Sequence, residues 1–183
     1  MKRLLMALAA LAGVLLAIFF AVDGLGIRIL SDPTPWLARG GPGAAAAGVG
    51  LLIADVLLPV PSSLVMVAHG ARFGVWLGAA LSLAGGLGGA LCGFAIGRRG
   101  GALLARFVTD AEREQAERLL ARWGALAVVI TRPVPIVAES VAILAGASGM
   151  GWGKLILAAI VGLLPPAILY ALAGALAGGH PSP

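Results

Sequence analysis

Apolar residues run without interruption from Leu4 to Val22, behind the basic start Met1-Lys2-Arg3. A run of this length crosses a bilayer as a helix. It is long for the hydrophobic region of a signal peptide, and no clear small-x-small cleavage site follows it. We read it as a first transmembrane helix with a cytoplasmic N-terminus, with cleavage as the alternative. Asp23 to Gly43 is mixed in polarity and broken by Pro33, Pro35 and Pro42, which predicts an outer loop with Trp36 as an interface anchor.

Ala44 to Gly70 is apolar again, but Asp55, Pro59, Pro61, Ser62 and Ser63 interrupt it. Each half is too short to span. A prolyl break at membrane depth is tolerated only where protein or a cavity surrounds the freed backbone groups. The pattern predicts two half-helices in a re-entrant hairpin. Val75 to Gly97 reads as a full span, ended by Arg98-Arg99-Gly100-Gly101. Small residues recur on it at every fourth position, Gly85, Gly89, Gly93 and Gly97 in one row and Gly74, Gly78, Ser82 and Gly86 in another. Rows of this kind let helix backbones approach closely.

The segment 102–122 changes character. Arg106, Arg113, Arg118 and Arg122 alternate with Asp110, Glu112, Glu114 and Glu117, and Thr109-x-x-Glu112 suits a capping box. With Leu103, Leu104, Phe107, Leu119 and Leu120 it reads as an interfacial helix with a solvated charged face. Gly124 to Gly149 then repeats the interrupted pattern, around Thr131-Arg132-Pro133-Val134-Pro135, with Glu139 in its second half. Trp152 to Ala177 is the last span, which Pro165-Pro166 should kink or divide. Gly178 to Pro183 reads as a tail.

Composition settles the solvent. Of 183 residues, 60% are hydrophobic and 11% charged. A soluble domain carries about 25% charged residues, so this chain could not cover a water-facing surface. Cys92 is the only cysteine, which gives neither a disulfide framework nor a cysteine metal site. The net charge of +5 is more economically explained by cytoplasmic loops beside anionic lipid than by nucleic acid.

The interrupted segments align. An offset of 76 residues pairs Pro59 with Pro135, Gly70 with Gly146, Ala71 with Ala147 and Trp76 with Trp152. Each unit is a broken hairpin followed by a span, and paired Pro/Gly interruptions point to a transporter's binding site. With Lys2 and Arg3 inside, nine Lys/Arg (2, 3, 98, 99, 106, 113, 118, 122 and 154) fall inside and three (28, 39 and 72) outside. This obeys the positive-inside rule and makes the repeats inverted, with hairpin tips meeting near the midplane.

Three ionisable groups are expected at membrane depth, namely Asp55, Arg132 and Glu139. Such groups are costly there and mark a pathway or a pair. One reading is a structural Asp55–Arg132 ion pair that pins the two tips. The other has Arg132 holding an anionic headgroup while Asp55 or Glu139 exchanges a proton. Half-helix N-termini after Pro61 and at Pro135, the first capped by Ser62 or Ser63, would add N–H donors for a phosphate. His69 is expected to be buried or interfacial rather than a metal ligand. Arg72 and Lys154 fall at the two interfaces. No phosphate-binding loop, H-E-x-x-H or G-x-S-x-G is present, and Ser62 and Ser140 lack an obvious base, so neither an enzyme nor a cofactor is expected.

Asp55-x-x-x-Pro59-x-Pro61-Ser62 followed by Gly70 resembles the first signature of the DedA family, also called the SNARE-associated Golgi protein or VTT-domain family. Ile96-Gly97-Arg98-x-x-Gly101, Trp123-Gly124, Arg132-x-x-Pro135 and Ala145-Gly146-x-x-x-Met150 continue the resemblance in order, from about Ala44 to Ala177. It implies two inverted re-entrant hairpins and lipid movement across the bilayer, either phospholipid scrambling or undecaprenyl phosphate recycling, with proton coupling in some members. It implies essential roles for Asp55 and Arg132. The chain departs from the family at two places. Ser63 stands where many members have an acid, and Ala138, followed by Glu139, where many have a second arginine. Ser63 and Glu139 are themselves 76 residues apart, as if an acid had moved between repeats.

The expectation is therefore an all-α polytopic protein of a bacterial inner membrane. Residues 1–43 form the N-terminal helix and outer loop, 44–177 a transmembrane domain (repeat one 44–97, repeat two 123–177), and 178–183 the tail. Its function would be a flippase- or scramblase-type lipid transporter. Arg132, Ser62, Ser63, Pro61 and Pro135 would form the substrate site, and Asp55 and Glu139 the proton-coupling pair. Its partners would be phospholipid or undecaprenyl phosphate, with protons and a second copy of the chain as further candidates, and not nucleic acid. A small-ion or proton-coupled antiporter and a non-transporting scaffold are the rivals.

Overall fold

The computed structural model describes residues 40–104 and 123–179, apart from 59, 133 and 134. The expected first transmembrane helix, the loop with Trp36, nearly all of the interfacial helix 102–122 and the last tail residues lie outside these. The described residues are helical throughout, with α1 (Gly41–Ala54), α2 (Ser62–Leu104), α3 (123–131), α4 (Pro135–Ala147) and α5 (Trp152–Ala177). Every one is rich in apolar residues, and helices keep their backbone hydrogen bonds to themselves, as a hydrocarbon solvent demands.

Helix α1 starts with Pro42 in its first turn, where a missing N–H costs nothing. It ends at Asp55, whose N–H bonds Leu51 O at 3.0 Å. The chain then turns through 56–61 and starts α2 at Ser62, with the Leu64 and Val65 N–H groups on Pro61 O at 2.9 and 3.3 Å. The start of α2 lies back along α1, so that Gly48 faces the His69 ring. Leu51, Leu52, Val60, Val65 and Met66 form the apolar centre of this hairpin. In the second unit, α3 ends in a turn at Arg132 and α4 starts at Pro135.

Helix α2 changes direction at Gly74, whose φ of 76° and ψ of 178° interrupt an otherwise helical run of 43 residues. The hairpin arm ends and the span begins there, so Gly74 makes the joint rather than part of a packing row. The other members of its row do pack. Gly78 lies on Gly70 and His69, Ser82 bonds His69, and Gly86 meets Leu163. The span does not stop at Arg98-Arg99-Gly100-Gly101 but stays helical to Leu104. Helix α5 likewise is not divided by Pro165-Pro166 and runs whole from Trp152 to Ala177.

Two helices, Ser62–Gly100 and Trp152–Ala177, are long and apolar enough to cross a membrane. On α5 the inward face is small (Ala158, Ala159, Gly162, Ala167, Ala171, Gly174 and Ala175), while Leu157, Val161, Leu164, Leu169 and Leu176 are exposed. Large apolar side chains outside and small ones inside are the pattern of helices that pack by close approach in lipid.

The units pack crosswise. A Cβ at Gly70 would run into the backbone of Ala171 in α5, and one at Gly146 into that of Phe94 in α2. Gly174 of α5 faces Val67 O and Ala71 N, while Gly97 of α2 faces Ile143 O and Ala147 N. Val67 and Ile143, and Ala71 and Ala147, are each 76 residues apart. Each hairpin arm therefore meets the other unit's long helix through the same arm positions, while on the long helices Gly97 and Gly174 are 77 residues apart.

Candidate functional site

Both helical pairs touch α2. A Cβ at Gly93 would lie 3.1 Å from Val56 Cγ2, next to Asp55, and 3.4 Å from Ala142 Cβ, one turn beyond Glu139. The first break thus lies against the long helix of its own unit, which α4 also meets one turn beyond Glu139.

The first break is closed by its own side chains. Pro59 and Pro61 carry no N–H, and the N–H between them, on Val60, is donated to Asp55 Oδ1 at 3.0 Å. The Ser62 hydroxyl is within hydrogen-bonding reach of the same carboxylate. Asp55 thereby replaces the helical partner that the turn denies to Val60. Ser62, Ser63 and Pro61 are all half-buried at this turn.

The second break shows no such closure among the described residues. Arg132 is 7% exposed, its N–H lies 3.4 Å from Val129 O, and Thr131 folds its hydroxyl back to Ala127 O at 2.7 Å. Its stem passes against α5 at Gly162, where a Cβ would sit 2.7 Å from Arg132 Cγ. Arg132 Nε and Nη2 find no hydrogen-bond partner among the described residues, and neither does Glu139 Oε2. Arg132 and Glu139 lie within Coulombic reach of each other, and Glu139 also feels Asp55. The acid facing Arg132 is thus Glu139, one turn on in the same hairpin, while Asp55 is engaged in its own. Pro135 starts α4, and its side chain lies outside the described residues.

Two pairings escaped sequence reasoning, although His69 is buried as expected. The His69 ring is fully buried, with Nδ1 3.1 Å from Ser82 Oγ, which ties the hairpin arm to the span across the Gly74 joint. Only the helical register of Ser82, on the small-residue row, hinted at this. Arg98 donates to Met150 O at 2.8 Å and lies over the Phe94 ring, which in turn stacks edge-on against Trp152 at 4.6 Å between centroids. That cluster joins the long helix of the first unit to the α4–α5 connection.

An all-helical chain with two membrane-length helices, lipid-type packing and ionisable groups buried at helix breaks is a helical membrane protein. Comparison with known families gives the group, for the VTT domain matches residues 60–176, more than half of the chain. The chain belongs to that family, whose domain defines the DedA/SNARE-associated Golgi proteins. No curated protein and no solved structure gave a significant match.

Proposed function

We propose that this protein is a lipid transporter that moves phospholipid or undecaprenyl phosphate between the leaflets of a bacterial inner membrane. The observation that carries this reading is Arg132, a buried cation at the second helix break with two donors unpartnered among the described residues. A buried guanidinium left without partners is strongly unfavourable, and a phosphate offers it planar, charge-assisted hydrogen bonds. The acyl or prenyl tail stays in lipid, so only the headgroup needs protein contacts. Family membership supports the transporter class.

The same proposal takes the two units as inverted re-entrant repeats in a multi-pass protein with a cytoplasmic N-terminus. The crosswise contacts at Gly70, Gly97, Gly146 and Gly174 support the repeat. Asp55 supports the re-entrant turn by taking the N–H that a mid-membrane break would orphan. Glu139 is the residue we assign to proton exchange, and no enzymatic step is part of the reading.

The test is leaflet exchange of labelled lipid in proteoliposomes. Wild type is expected to exchange lipid and folded Arg132→Ala to match empty vesicles. Unimpaired exchange by Arg132→Ala would remove the lipid reading at its central residue. A small-ion antiporter would instead need Glu139 alone, and ion flux in sealed vesicles without lipid exchange would favour it.

A further inference from the structure

His69 lies away from both helix breaks and, alone among the ionisable side chains of the described residues, is fully buried. Its ring is held between two elements. Nδ1 is 3.1 Å from Ser82 Oγ on the span, and Nε2 lies against Gly48 of α1, where any Cβ would collide with it. Nε2 has no hydrogen-bond partner among the described residues. A neutral ring fits this setting. It gives its one N–H to Ser82 and leaves a bare nitrogen against Gly48. A protonated ring has a second N–H, which points at the Gly48 backbone and finds no acceptor. No opposite charge is at hand either. Helix α1 has no ionisable side chain, and the span from Val75 to Gly97 has only Cys92, which is exposed. Helix α5 has Tyr170, 40% exposed, and Lys154 at its opposite end. Glu139 belongs to α4, which meets the span at Gly93 and Gly97, about three turns from Ser82. Asp55 lies past the end of α1 and takes the Val60 N–H. On the arm itself the neighbouring charge is Arg72, one turn on and packed against Gly40, and it is a second cation.

We propose that His69 is a proton-operated wedge: the neutral ring lets α1 close on the arm and span, and the protonated ring holds α1 off at Gly48. The inference is independent of what the protein moves. Helix α1 is the element that gives way, because the arm carrying His69 is anchored on its other sides. Gly70 lies on Gly78 and on Ala171, and Gly174 on Val67 and Ala71. On α1, Leu52 and Ile53 fill the space over Gly85, Gly88 and Gly89 of the span, so lifting α1 at Gly48 loosens a face built on close approach. The sign follows from linkage. A ring released to water takes up a proton near its ordinary value of about 6.5, while the closed packing accepts only the neutral form. Closure is therefore complete above that pH and is lost as the pH falls, with opening favoured about tenfold more for each unit below about 6.5.

The experiment uses the full chain in lipid nanodiscs with nitrogen-labelled histidine, whose only sites are His69 and His180. Ring nitrogen shifts report the tautomer and the second proton, and amide hydrogen exchange, corrected for the intrinsic effect of pH, reports the opening of α1. At neutral pH the His69 ring is expected to carry its proton on Nδ1 alone. On acidification it is expected to gain the second proton together with faster exchange in α1, about tenfold for each pH unit, while α5 keeps its protection. His69→Phe and His69→Gln do not titrate, and each is expected to show α1 exchange independent of pH, whatever its level. A proton on Nε2 at neutral pH would overturn the wedge, as would a second proton taken up with no change in α1. Acid-dependent opening that survives in both variants would also overturn it and would move the effect to Asp55 or Glu139. Tautomer, protonation and exchange are all read on the wild type, so a variant that fails to fold does not spoil the test.

Discussion

In the first break the Asp55 carboxylate takes the Val60 N–H at 3.0 Å and has the Ser62 hydroxyl at hand. In the second, Arg132 keeps two donors and Glu139 one acceptor without partners. Both breaks follow from prolines at matching positions; the first lies against α2 near Gly93 and the second against α5 at Gly162. A group that completes local backbone hydrogen bonding holds a fold together. A buried charge that completes nothing is a cost, and in a membrane protein it marks a candidate functional position. Two ionisable residues in related turns can therefore differ in kind, and the hydrogen-bond inventory separates them where residue type does not.

Mutations can break this contrast. The largest expected effect is on transport. Arg132→Ala and Arg132→Lys should both lose lipid exchange to the level of empty vesicles, since lysine lacks the planar fork. Both should still elute as a monodisperse species from size exclusion. Next come the crosswise contacts. Gly70→Leu and Gly146→Leu should each lower stability in a detergent unfolding titration by about 1–3 kcal/mol, from overpacking against backbone. Similar losses would support equivalent roles, and a large inequality would weaken the pseudo-symmetry. Asp55→Ala should destabilise by about 1–3 kcal/mol, because the Val60 N–H loses its acceptor. Asp55→Asn, which keeps an amide oxygen there, should lose less. If Asp55→Asn abolished exchange at unchanged stability, the first break would be a working site too. The smallest effect is expected for Ser82→Ala, which removes the His69 bond and should cost about 1 kcal/mol.

Much of this was legible in the sequence. Prolines at 59, 61, 133 and 135 located both breaks to within a few residues, because a missing N–H is a local property. The 76-residue offset aligned the positions that later proved to make equivalent contacts. The partners of polar groups were not legible, since they depend on how the chain turns. Asp55 takes the N–H of Val60, five residues on, a pairing set by the course of the turn and not by any motif. Helix ends were misjudged for the same reason. Gly100-Gly101 is a weak local signal, and at Pro165-Pro166 apolar surroundings that give freed backbone groups no water to bond keep the helix undivided. The left-handed turn at Gly74 was hidden because that glycine also fitted a packing row.

Gly74 carries a consequence of scale. At 1.5 Å per residue, the 43 residues of α2 laid straight would measure about 65 Å. The hydrocarbon of a bilayer is about 30 Å thick, and tilt absorbs only a modest excess. A straight α2 would push one end far into water, whichever way it leaned. The single torsion at Gly74, in a region that other residues scarcely occupy, divides that length into a short arm and a span of about 45 Å, close to the thickness of a bilayer with its headgroup regions. Alanine there would favour the straight rod, and the thickness of the membrane would become the force opposing it.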